Sequence, residues 1–189
     1  MTHGPARLRA VVHHAPSCRV LRPRPPVPLT VRSPLARHGE GLLAGSRAAL
    51  VLFGAWCRVA AVSPHSVVHL PLEGLDLVLA RADTGLRPSA WKGMRMALSP
   101  GRPATLRSPA PRPSPGDDAA LSVTESAATL FLLSPPRALF QLGDAITDAT
   151  AEVPLLRDVR RHGEALLLGL ADLDMDVLVR DERYRRRLR

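Results

Sequence analysis

The chain contains no asparagine, and lysine, isoleucine, tyrosine and glutamine occur once each, as Lys92, Ile146, Tyr184 and Gln141. Arginine occurs 25 times. Phe, Tyr, Met, Ile, Asn and Lys, whose codons are AT-rich, make 10 residues together, whereas Gly, Ala, Arg and Pro, whose codons are GC-rich, make 83 of 189. Nucleotide bias therefore set much of this composition. One reading is that the chain comes from a GC-rich coding source as a spurious or antisense open reading frame with no evolved biochemical activity. The coding DNA tests that reading, because a genuine gene in a GC-rich genome carries its largest GC excess in the third codon position.

Other scarcities narrow the structure. Aromatic residues are 3% of the chain, and they normally supply the largest buried areas, so a core of Leu, Val and Ala is expected to be loosely specified. Two cysteines, Cys18 and Cys57, are too few for a disulfide framework. No apolar run of secretory length precedes Cys18, which favours an intracellular protein over a secreted one. Residues 1–39 hold seven Arg and no acid, the charge bias of an organelle transit peptide, but seven Pro in the same stretch oppose the amphipathic helix such a peptide needs.

What is present is positive charge, unevenly placed. The net charge is +9; residues 1–116 carry 16 basic and 4 acidic side chains, and residues 117–189 carry 10 basic and 13 acidic ones. Composition divides the chain into a Pro/Arg-rich region, 1–41, expected to be disordered, with polyproline geometry at Arg22–Pro28. An apolar segment, 42–98, follows, then a Pro-rich linker, 99–116, and a helical region with a basic tail, 117–189. In the last region Asp117 and Asp118 suit a helix cap ahead of Ala119 to Leu130. A second helix is expected after Pro135-Pro136, carrying Ala138, Leu139, Leu142 and Ile146, and a third along the stripe Leu166, Leu170, Leu173 and Val177. The fold class expected is thus mainly α with extensive disorder. The alternative is a small α+β fold with strands near 67–81 and 171–180, where Leu75 to Arg81 and Leu173 to Arg180 alternate in polarity.

Local motifs of catalysis and ligation fail on their own geometry. Leu42 to Val62 matches the length of a membrane span, but Arg47 and Arg58 interrupt it, so a buried or interfacial helix is the better reading. Gly39, Gly41 and Gly45 form a GxGxxxG without the buried strand that a dinucleotide-binding turn requires. Cys57, His65 and His69, with Cys18, His13 or His14 as distant additions, lack the close pairs of a zinc site. Asp172, Asp174 and Asp176 open like a calcium loop, but Val177 and Arg183 stand where that loop needs Gly and Glu. No nucleophile elbow or phosphate loop is present, so the sequence gives no support for an enzyme, and no cofactor, metal or small-molecule ligand is inferred.

Arginine remains the one chemical resource. Guanidinium binds oxyanions bidentately and stays charged at any physiological pH. Arg22, Arg24, Arg107 and Arg112, with Arg183, Arg185, Arg186, Arg187 and Arg189 of the tail, are the candidate contacts for nucleic acid or another acidic surface, bound nonspecifically. A peripheral membrane-surface protein, using Leu42 to Val62 as an interfacial helix, is the second alternative.

Overall fold

The computed structural model describes residues 6–32, 40–111, 122–149, 156–161 and 164–170. Eleven strands and three α-helices are formed there: β1 (Arg7–His14), β2 (Arg19–Pro23), β3 (Leu29–Arg32), β4 (Glu40–Gly45), α1 (Arg47–Val62), β5 (Ser66–Pro71), β6 (Asp76–Arg81), α2 (Pro88–Met96), β7 (Arg102–Arg107), β8 (Val123–Ser126), β9 (Thr129–Ser134), α3 (Pro136–Ala149), β10 (Leu156–Arg161) and β11 (Glu164–Leu170). A seven-stranded mixed sheet runs β7-β1-β2-β5-β6-β9-β8, and a four-stranded sheet runs β10-β11-β4-β3. The fold is α+β.

The mainly α expectation is therefore overturned, and the α+β alternative is the one that matches. Arg7–His14 and Arg19–Pro23 are strands despite their Arg and Pro content, because pairing with neighbours supplies the hydrogen bonds that local propensity does not predict. Pro23 and Pro103, which cannot donate to a ladder, sit at a strand end and on the edge strand β7. The helix expected over Ala119 to Leu130 is replaced by β8 and the start of β9, and the stripe beginning at Leu166 starts inside β11. Leu-rich runs bury well in either geometry, so periodicity alone did not decide between them. The strand expected near 171–180 lies outside the described residues, whereas that near 67–81 corresponds to β5 and β6.

Alternation along the central strands buries both faces. Val68, Leu70, Leu77, Leu79, Leu130 and Leu132 face α1 and α3, while Val67, Val78, Ala80 and Phe131 face α2. Helix α1 is capped by Ser46, whose side chain accepts from the Ala49 amide at 3.2 Å. It buries Ala49, Leu50, Phe53, Trp56, Cys57 and Ala60 at helical spacing, so the Leu42 to Val62 segment contains a buried helix. No helix among the described residues is long and apolar enough to cross a membrane. Helix α3 begins at Pro136 and buries Ala138, Leu139, Leu142 and Ile146, as their spacing predicts.

Arg58, which counted against a membrane span, clamps these layers. Its guanidinium donates to the Gly143 carbonyl at 2.9 Å, to Thr147 Oγ1 at 3.0 Å and to the Pro109 carbonyl at 3.1 Å, and it pairs with Asp144 at 3.3 Å. A buried cation is tolerable only when its donors are met in this way.

Candidate polyanion-binding surface

On the opposite sheet face, Val20 of β2 joins the core under α2, whereas Arg7 and Arg9 of β1 and Arg107 of β7 are exposed. In β1 the residues Leu8 and Ala10 are buried toward α1 and α3, so strand alternation turns Arg7, Arg9, Val11 and His13 to the other face. Register places Arg107 beside Arg7, Thr105 beside Arg9 and Arg22 beside Val11. The chain leaves β2 with the Arg24 amide donating to the Arg9 carbonyl at 2.9 Å, which sets Arg24 alongside Arg9. Arg9, Arg24, Pro25, Pro26, Pro103 and Thr105 line an open groove of about 680 Å³. Arg7, Arg9, Arg24 and Arg107 are all exposed.

The electrostatics of this end are one-sided. Residues 6–32 and 97–111, which supply β1, β2, β7 and the segments around them, contain no Asp or Glu. The guanidinium groups are therefore not neutralised from within their own strands. Like-charged arginines on neighbouring strands repel one another, and an oxyanion placed between them would relieve that repulsion.

At the inner margin, Arg22 turns toward the buried His69. Arg22 Nε donates to His69 Nδ1 at 3.0 Å, which makes Nδ1 the acceptor and leaves the ring proton on Nε2. Asp76 Oδ2 approaches Nε2 at 3.3 Å without the alignment of a hydrogen bond, and the same carboxylate pairs with Arg95 of α2. Trp91 covers the imidazole edge-on, with centroids 5.1 Å apart, and meets Phe131 at 6.4 Å. Burial holds His69 below the usual histidine range, and Asp76 opposes that only in part. With its lone pair taken by Arg22 and its ring under Trp91, His69 has no accessible base to offer a substrate.

The cysteines are placed apart from this histidine. Cys57 lies in the α1 core, where burial pushes its thiol far up, and Cys18 has its sulfur 3.7 Å from that of Met94. Burial also raises the Cys18 thiol, with the Ser17 side chain opposing. His65 is exposed in the turn just before β5, so Cys57, His65 and His69 do not converge. Gly41 lies within β4 and Gly45 ends it, so these two glycines of the GxGxxxG are strand residues, and Gly39 lies outside the described residues.

Of the arginines singled out in the sequence, Arg24 and Arg107 come to this surface and Arg22 to its margin. Arg112, Arg183, Arg185, Arg186, Arg187 and Arg189, and the three aspartates at Asp172, Asp174 and Asp176, lie outside the described residues. Sequence reasoning missed Arg7 and Arg9. Their signal was the alternation Arg7-Leu8-Arg9-Ala10, a strand with one charged face, hidden inside a stretch whose prolines drew attention first. Comparison with protein-family models, with curated proteins and with solved structures finds no match.

Proposed function

We infer that the β7–β1–β2 end of the large sheet binds polyanions, with the phosphate backbone of nucleic acid as the chemistry it suits best. The observation that supports this is the convergence of Arg7, Arg9, Arg24 and Arg107 on one exposed face whose strands hold no acid. Guanidinium groups spaced along pleated strands can each take a separate phosphate oxygen pair, and none needs a particular base. The two tryptophans are buried in the cores, which leaves electrostatic contact rather than base stacking as the mode of attachment. The reading needs no catalytic step.

The test is binding of a labelled DNA duplex followed by fluorescence anisotropy as salt is raised. Four phosphate contacts predict that affinity falls about a hundredfold between roughly 50 and 200 mM salt. Replacing two of them in Arg9→Gln/Arg24→Gln flattens the salt dependence by about half. The control Arg87→Gln/Lys92→Gln removes the same charge from exposed positions on and just before α2 and leaves the dependence intact. Equal losses in both variants would mean that net charge alone acts, as expected of a chain whose arginines follow nucleotide bias without a selected activity. Affinity indifferent to salt would overturn the reading outright.

A further inference from the structure

We propose that His69 is a pH-operated latch on Arg22: neutral, it holds the guanidinium at the inner margin of the anion-binding surface, and protonated, it releases Arg22 toward that surface. The inference rests on the polyanion reading for its function, although the latch itself is a matter of local geometry.

The geometry has two alternative pairings. In the present one, the Nδ1 lone pair of a buried imidazole accepts from Arg22 Nε at 3.0 Å. Protonation of Nδ1 removes that lone pair, sets two donors and two positive charges against each other, and breaks the bond. The new cation already has a partner on its other side, because Asp76 Oδ2 stands 3.3 Å from Nε2. The charged groups facing the imidazole are few: Arg22 from β2, Asp76 from β6 and, behind that carboxylate, Arg95 from α2; Trp91 supplies the apolar cover. Proton uptake therefore exchanges an Arg22–His69 bond for a His69–Asp76 ion pair. Arg22 is half-exposed and lies two residues before Arg24 on the same strand line, about 7 Å away, so a rotamer change suffices to bring it beside Arg24 and Arg9. His69 stays buried throughout, and the moving part is one long side chain.

Two measurements on the full chain decide the matter. Nitrogen-15 NMR at neutral pH is expected to show His69 as the Nε2–H tautomer with a protected Arg22 Nε–H, and that protection is lost at the pH where His69 titrates. Protection that persists after His69 is protonated would overturn the latch. Duplex affinity at fixed salt is expected to rise about threefold more in the wild type than in His69→Gln between neutral and mildly acidic pH, one further phosphate contact being gained. Arg22→Gln, which removes the guanidinium that the latch would release, should lose the same excess. Equal rises in the wild type and both variants would also overturn the proposal. Absence of duplex binding at every pH would instead remove the polyanion reading, and the NMR result would then report separately on the release of Arg22.

Discussion

Gly54 and Gly143 meet backbone to backbone where α1 crosses α3. A methyl group on Gly54 would stand 2.8 Å from the Gly143 carbonyl oxygen, and one on Gly143 would stand 2.5 Å from the Gly54 carbonyl oxygen and 2.9 Å from Arg58 Cγ. The crossing thus leaves no room for a β-carbon on either glycine, and the Arg58 clamp donates to the Gly143 carbonyl at the same place. Gly143→Ala is expected to cost about 1–3 kcal/mol by forcing the helices apart. Gly54→Ala is expected to fall in the same range. Urea unfolding of the two variants measures both, and a change near zero would show that the helices do not cross at this pair.

The β8–β9 hairpin carries its own strain. Ser126 pairs with Thr129, so the turn is two residues long, and those residues, Ala127 and Ala128, have φ of 49° and 55°. Positive φ at both positions is the pattern that Asn-Gly satisfies in such turns, and an L-alanine pays about 1 kcal/mol or more for it. A chain without asparagine has put alanine there. Ala127→Asn/Ala128→Gly is expected to raise stability by about 1–2 kcal/mol, read as a higher midpoint of thermal or urea unfolding. Both alanines are exposed, so no core contact offsets the gain.

Acid should weaken the fold through His69. Burial lowers its pKa from the ordinary 6.5, so in the folded state it stays neutral at a pH where the unfolded chain has taken up a proton. Stability from this group is full above about 6.5 and is lost as pH falls through the lowered value, at no more than about 1.4 kcal/mol per pH unit for one proton. Unfolding midpoints measured from neutral to mildly acidic pH should fall more steeply in the wild type than in His69→Gln, which has no proton to take up. Parallel slopes would assign the acid sensitivity to other groups.

How far these relationships were legible in the sequence differs from one to the next. The start of α3 at Pro135-Pro136 and its buried stripe were readable because both depend on residues within a few positions of each other. The alternation at Leu75 to Arg81 was readable for the same reason and became β6. The N-terminal strands were not, since Arg and Pro argue against local order and only the partners of β1 and β2 supply it. The candidate surface was half visible: Arg24 and Arg107 were singled out by charge, whereas Arg7 and Arg9 needed a strand to be recognised first.

By itself, the sequence determined the excess of arginine, the absence of acid from its first 39 residues, and the apolar character of the segment that became α1. These follow from residue identity or from neighbours along the chain. Tertiary structure alone decided that Arg7 lies beside Arg107 and that Arg22 reaches His69. Strand pairing joins residues far apart in the chain through backbone hydrogen bonds that are alike for every side chain, so no local pattern encodes which strand will be the neighbour.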